Sequence, residues 1–278
     1  MRRRVRPSIV AALLILVALL GFTLSRHDEP FSVGPLLPSA KVKPQLVSAW
    51  DIGVLLAPDG SLWAWGGTEH RFAGLFGITS RSAIPQQIGI DRDWRKIAAT
   101  ASHMLAIKAD GSLWAWGNWP GLPPQEAIPS SAVARRIGSE MDWQEINIGA
   151  THCMALKRDG SLWTWGRNLY GQLGLPTSNS AANPVRVGDE RWHAIAAGAF
   201  NSYALKHDGT LWGWGLDPLG AKGSNNDFSP RLIDASTNWV AISASSYCLI
   251  ALKADGSLWF RGQNARWMAR DFLTNATS

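Results

Sequence analysis

The sequence predicts an all-β protein, a β-propeller of about five four-stranded blades preceded by one apolar N-terminal helix. Three observations predict it. The string Asp-Gly-(Ser/Thr)-Leu-Trp occurs five times, with its glycines at Gly60, Gly111, Gly160, Gly209 and Gly256, spaced 51, 49, 49 and 47 residues apart. Self-similarity at a fixed period of this size is the signature of repeat architectures, propellers among them. Between the repeats, short apolar runs alternate with Gly and Pro and show no helical period. One uncharged stretch, Ile9–Leu24, stands apart from this pattern behind four arginines.

Each repeat reads as four strands. A segment such as His103–Lys108 runs into Ala109-Asp110-Gly111-Ser112 and returns as Leu113–Gly117. Asp-Gly between apolar runs is a strong hairpin signal, because Gly accepts a positive φ. Alternation places Trp114 and Trp116 on one face of the returning strand and Leu113 and Ala115 on the other. The pairs Trp63/Trp65, Trp163/Trp165 and Trp212/Trp214 repeat this, and the fifth unit departs with Trp259, Phe260 and Arg261. Seventeen residues before the last four glycines stand Trp94, Trp143, Trp192 and Trp239, with Lys43 in the first unit. These residues open a further strand. Pro85–Ile88, Pro184–Val187 and Pro230–Ile233, with Ala134–Ile137 in the second unit, supply the fourth. Four-stranded sheets at this period are propeller blades. The fifth unit lacks a proline-led strand, so residues 33–38 are the candidate closing strand for it. Five units close a ring, leave an incomplete arc or complete themselves by association.

The N-terminus divides into a signal anchor or signal peptide over 1–25 and a linker over 26–42, followed by propeller repeats over 43–278. Sixteen helical residues from Ile9 to Leu24 span about 24 Å, somewhat short of a hydrocarbon core of about 30 Å. Arg2, Arg3, Arg4 and Arg6 precede them, and the downstream flank of Arg26, Asp28 and Glu29 is not basic, which places the N-terminus inside and the repeats outside the membrane. The same four arginines carry four of the formal +6 charges and leave +2 for the rest. No concentrated basic patch is visible, so the reading excludes nucleic acid as a partner.

The third unit carries Trp143, Ile146, Gly149, His152, Ala155-Leu156-Lys157, Asp159-Gly160-Ser161-Leu162-Trp163, Trp165-Gly166, Asn168 and Gly171-Gln172-Leu173-Gly174. This resembles the regulator of chromosome condensation repeat family, and the resemblance covers roughly residues 43–262. It implies a propeller fold. The family is best known for seven-bladed members that act as exchange factors, scaffolds, a photoreceptor and a secreted β-lactamase inhibitor, so it implies no single function.

Candidate chemistry is sparse. His103 and His152 share one repeat position with Ile52, Asn201 and Cys248, which reads as structure. Asp59, Asp110, Asp159, Asp208 and Asp255 each sit in a separate hairpin turn, where Asp is locally favoured. Lys108, Lys157, Lys206 and Lys253 end the preceding strand, where a long stem covers apolar surface. Cys153 and Cys248 read as small buried residues. No catalytic, metal or cofactor-binding residue is assigned, and the chain reads as a non-enzyme. The informative aromatics lie outside the repeat: Phe72, Trp119, Tyr170 and Phe200 are the candidate partner-binding residues, on loops such as 118–124 and 167–174. The expected function is a non-catalytic protein-binding scaffold on the outer side of a membrane. The alternatives are a secreted inhibitor-like propeller and a glycan-acting hydrolase or lyase.

Overall fold

Each Asp-Gly repeat becomes four antiparallel strands, because two hairpins and a returning outer strand satisfy the backbone of four consecutive segments, and one continuous strand joins the third and fourth repeats into a seven-stranded sheet. The computed structural model describes residues 41–49, 52–66, 82–100, 103–117, 134–216, 227–246, 248–262 and 268–270. They belong to one unit, residues 39–278. The first blade is β1 (Gln45–Ala49), β2 (Ile52–Leu56), β3 (Leu62–Gly66) and β4 (Ser82–Ile88). The second is β5 (Trp94–Ala99), β6 (His103–Lys108), β7 (Leu113–Gly117) and β8 (Arg135–Ile137). The third contains β9 (Trp143–Ile148), β10 (His152–Lys157), β11 (Ser161–Gly166) and the first part of β12 (Ala181–Ala197). β12 is shared: Ala181–Arg191 pairs with β11, and Trp192–Ala197 opens the fourth blade against β13 (Asn201–Lys206). β14 (Leu211–Gly215) and β15 (Asp227–Asp234) complete that blade. The fifth is β16 (Trp239–Ala244), β17 (Cys248–Lys253), β18 (Leu258–Gly262) and β19 (Met268–Arg270).

The place beside β18 that the sequence reading assigned to residues 33–38 is held by Met268–Arg270. An outer strand is joined by main-chain hydrogen bonds, so Met-Ala-Arg serves without a proline signal, as Arg135–Ile137 does in the second blade. Residues 33–38 and the apolar segment Ile9–Leu24 lie outside the described residues. Among the described residues no helix is long and apolar enough to cross a membrane.

The Asp-Gly turns are three-residue loops. In the second blade Gly111 N–H donates to Lys108 O at 3.0 Å and Lys108 N–H to Ser112 O at 3.1 Å, and Gly111 has φ +85°. This is a turn followed by a left-handed glycine bulge rather than a two-residue hairpin. The glycine also answers to the next blade. Its carbonyl accepts the N–H of Trp143 at 3.2 Å, and a Cβ on it would meet Met141 O at 2.1 Å. Gly60, Gly160 and Gly209 accept from Trp94, Trp192 and Trp239 in the same way, so every described junction between blades is stitched at this point.

The first strands of successive blades pack on one another, which makes them the innermost strands. One face of each blade looks toward the preceding blade and carries Trp, Ile, Ala and Trp; the other looks toward the following blade and carries aliphatic residues. Ile52, Val54, Leu56, Leu62 and Ala64 of the first blade close on Trp94, Ile97, Met104, Ala106 and Trp116 of the second. The same arrangement builds a core between blades two and three, three and four, and four and five. Among the described residues five blades therefore share four cores, and no strand of the fifth blade packs comparably on the first. The two outer faces show the consequence. Leu46 is 49% exposed where Ile97, Ile146 and Ile195 are at 4–7%. At the other end Ile250, Leu252, Leu258 and Phe260 are only half-buried.

This difference is measurable. Trp165 is fully buried between blades, whereas Trp65, at the equivalent position, is half-buried and lies across Gly53. Trp165→Ala is expected to destabilise the fold by about 3–5 kcal/mol. Trp65→Ala is expected to cost no more than about 2 kcal/mol. Urea melts of both variants check this, and equal losses would show that the first blade is covered as tightly as the others.

Candidate functional site

The residues repeated in every blade are occupied with the fold. In each turn the Asp carboxylate accepts the following Ser or Thr hydroxyl at 2.6 Å and its backbone N–H at 2.8–3.0 Å. That hydroxyl in turn accepts the indole N–H of the motif Trp at 2.8–3.1 Å. The hydroxyl bonds hold the carboxyls of Asp59, Asp110, Asp159, Asp208 and Asp255 below the ordinary carboxylate value. The strand-ending lysine lies over two indoles at once. Lys108 Nζ is 4.7 Å from the Trp94 ring and 4.9 Å from Trp114, and those two rings meet edge to face at 6.1 Å. Lys157, Lys206 and Lys253 repeat this over their own Trp pairs. Burial opposes the charge on Lys108, yet its bonds to Asp91 and Asp93 outweigh that and raise its pKa.

His103 and His152 are buried core residues. Ser202 Oγ donates to Gln172 O at 2.8 Å, so the 2.7 Å contact between His152 Nε2 and Ser202 Oγ has the histidine as donor. His152 Nδ1 then carries a lone pair with no hydrogen-bond partner. Burial, with a smaller effect from the neighbouring His103, lowers the pKa of His152 to about 3; burial alone lowers that of His103 to about 4. The His152–Ser202 pair resembles a nucleophile and its base, but it is sealed inside the sheet stack and serves the loop above it. Cys153 and Cys248 are free thiols, and burial raises the pKa of both. Among the described residues no cluster of His, Cys, Asp or Glu could hold a metal ion.

What remains is the loop 167–176 and the turn that faces it from the next blade. Asn168 is fully buried; its side chain accepts the N–H of Leu173 at 2.8 Å and donates to Thr177 O. Gln172 accepts the N–H of Tyr170 at 3.0 Å and donates to Thr151 Oγ1 at 3.1 Å. The Gln172 carbonyl takes both Ser202 Oγ and Trp214 Nε1, so the loop is bonded to the fourth blade as well as its own. Asn-x-x-Gly-Gln-Leu-Gly is thus a scaffold whose polar side chains point inward. Tyr170 and Leu169 point outward, at 36% and 62% exposure. Phe200, from the turn between β12 and β13, meets Tyr170 edge to face at 5.2 Å. Two of the four sequence-predicted aromatics, thirty positions apart, are therefore one platform; Phe72 and Trp119 lie outside the described residues. Sequence reasoning missed Leu169, which has no signal beyond its place beside Tyr170.

Family models of the regulator of chromosome condensation (RCC1) repeat match residues 159–205, and residues 94–118 with 143–172. No curated protein sequence matches the chain. Among solved structures it is similar to human WBSCR16, with a TM-score of 0.69 at 17% identity over 81% of this chain and 63% of that one. It is also similar to yeast RCC1 (Prp20) solved with Kap60 bound, with a TM-score of 0.66 at 20% identity over 78% and 55% of the two chains. Prp20p from Saccharomyces cerevisiae, whose binding properties to Gsp1p and histones accompany its structure, gives 0.67 at 21% identity over 78% and 57%. The chain thus spans less than two thirds of each of these structures. At such identities the likeness is one of fold.

The buried histidines predict an acid limb in the stability curve. Both have folded pKa values below the ordinary 6.5, so between about pH 6.5 and 4 the unfolded chain takes up protons that the folded chain refuses. Stability is full above pH 6.5 and falls as pH drops through this window, by up to about 1.4 kcal/mol per pH unit for each histidine. His152→Asn, which installs the residue that the fourth blade carries as Asn201, is expected to flatten that slope by one proton's worth. Urea midpoints measured from pH 7 to pH 4 test it; an unchanged slope would remove His152 from the account.

Proposed function

We propose that this chain, a β-propeller of regulator of chromosome condensation repeats, is a non-catalytic protein-binding scaffold displayed on the outer side of a membrane by its apolar N-terminal segment. The observation that carries the binding reading is the Tyr170–Phe200 contact. Aromatic rings from two blades are held against each other on a loop whose buried Asn168 and Gln172 side chains are engaged at both polar atoms, so little conformational entropy is lost when a partner covers them. Exposed Leu169 extends the apolar surface. Aromatic anchors with an apolar neighbour are typical of binding hot spots.

The non-catalytic reading rests on where the acids and histidines stand. Each motif Asp accepts its own Ser or Thr, and His152 is bonded inside the stack, so the repeated acids and this histidine are engaged with the fold. The yeast structures show that propellers of this fold carry protein partners: Kap60 is bound to one, and Gsp1p and histones are partners of the same protein. Display outside a membrane rests on the uncharged run Ile9–Leu24, with four arginines before it and Arg26 balanced by Asp28 and Glu29 after it.

Two experiments test this. Tyr170→Ala with Phe200→Ala, in the full chain, is expected to reduce capture of a protein partner by about tenfold or more. Its melting temperature should stay close to that of the parent. Capture that is indifferent to both substitutions would move the binding site elsewhere. A reporter fused after Ser278 is expected to be active only outside the cytoplasm, and replacing Arg2, Arg3, Arg4 and Arg6 by Glu to erode that orientation. Cytoplasmic activity of the parent fusion would refute the display.

A further inference from the structure

The strongest unexplained feature lies at the other end of the strands, on the side of the Asp-Gly turns. A cleft of about 560 Å³ opens there across the first three blades. Six cations line it, Lys41, Lys43, Arg95, Lys96, Lys108 and Arg158, and no carboxylate does. Ile107, Ala109 and Trp143 form part of its apolar wall. A volume of this order is that of a site for a small molecule, typically about 300–1,000 Å³.

The repeat separates the cations that the fold needs from those that it does not. Lys108 is a motif lysine, held between Trp94 and Trp114 and bonded to Asp91 and Asp93. Of the other five, Lys43, Arg95, Lys96 and Arg158 stand at positions that carry no Lys or Arg in the other blades, whereas Lys41 shares its position with Arg92. Lys43 takes the place of the Trp that opens the first strand of every later blade. Arg95 corresponds to Gln144, His193 and Val240, Lys96 to Glu145, Ala194 and Ala241, and Arg158 to Ala109, His207 and Ala254. Blade packing therefore does not account for them.

Their placement is specific. The first strand of each later blade is bulged just after its Trp, because the Trp pairs with the motif lysine and the next residue is skipped. A bulge re-aims the side chain that it leaves unpaired. In the second and third blades that side chain is Arg95 or Gln144, and both line the cleft. The N–H groups of Lys41 and Val42 donate to Pro58 O, which ties the Lys41–Lys43 segment to the first turn. Arg158 lies against Gly111, its Nη2 3.1 Å from where a Cβ would stand. Lys96 is bonded to Glu145 at 2.5 Å. Lys41, Lys43, Arg95 and Arg158 have no ion-pair partner among the described residues. Four unpaired cations around one concave space repel one another, and the charge that relieves them is a compact negative one. Two of the four are guanidinium groups, whose fork of donors matches phosphate and carboxylate oxygens.

We propose that this cleft binds a small organic anion carrying three or more negative charges of phosphate or carboxylate chemistry. It sits at the opposite end of the strands from Tyr170 and Phe200, so it stands whether or not the aromatic platform binds a protein.

Calorimetry on the full chain at constant ionic strength tests the proposal. Tripolyphosphate and citrate are the probes, and acetate is the singly charged control. Saturable binding of tripolyphosphate or citrate is expected, weakening as sodium chloride is raised. Tripolyphosphate alone binding assigns phosphate chemistry, and citrate alone assigns carboxylate chemistry. Arg95→Ala with Arg158→Ala is expected to weaken binding by about tenfold or more, the effect of losing charge-assisted hydrogen bonds. Both side chains are exposed and unpaired, so circular dichroism of the double variant should match the parent. Arg186→Ala, on an outer strand away from the cleft, should leave binding unchanged. The proposal is overturned if neither probe binds saturably, if acetate binds as tightly, or if the double variant binds like the parent. Binding of a glutamate-rich peptide with no binding of either small anion would also overturn it, in favour of an acidic protein segment.

Discussion

The structure depends on the tryptophan that opens the first strand of every blade from the second onward. Trp94, Trp143, Trp192 and Trp239 each do three things at once. The backbone N–H reaches across to the glycine carbonyl of the preceding blade's turn. The indole is buried in the core shared with that blade. Its face lies under the motif lysine of its own blade and against the motif Trp, whose own N–H is held by the Asp-Ser pair. A cation–π contact is worth about 0.5–2 kcal/mol, rising as the site is desolvated. Joining the turn, the core and the cation on one side chain makes their loss cooperative. This is why Asp, Gly, Ser, Leu and Trp recur together: each is a partner of the others.

That constraint is directional. A blade needs a predecessor to cover its tryptophans and a successor to cover its aliphatic face. The first blade carries fewer of the residues that meet a predecessor. Lys43 replaces the strand-opening Trp, Ala57 replaces the motif lysine, and the Trp65 ring lies across Gly53. In the fifth blade the second motif Trp is replaced by Arg261, and the face turned away from the fourth blade stays half-buried. Nearest-neighbour stacking of this kind tolerates such differences between blades, since each repeat answers only to the next.

Because packing claims the repeated residues, whatever the protein does falls to the residues that differ between repeats. The two ends of the strands offer different chemistry. At the end where the long loops emerge, a buried Asn-Gln network presents Tyr170, Leu169 and Phe200. At the turn end, charges carried by the first three blades surround a concave space. A rigid sheet stack suits both, because neither surface must order itself on binding.

The sequence by itself determined the blade, its period and its turns. These follow from local physics: two-residue alternation, a glycine that can take positive φ, and an Asp that bonds the hydroxyl two positions on. The structural roles of the histidines, the motif aspartates and the lysines were legible for the same reason, since a residue copied at one position of several blades is tied to the blade. The outer strand of the fifth blade was not legible, because a ladder of main-chain bonds makes little demand on side chains, and Met268–Arg270 carries no pattern. Nor was the union of Tyr170 with Phe200, or of Lys43 with Arg95 and Arg158. Those residues lie on different blades, and only the stacking of sheets brings them within reach. The tertiary structure decided which charges were already neutralised, which indoles were covered and where a cavity remained, because each of these depends on neighbours far away along the chain.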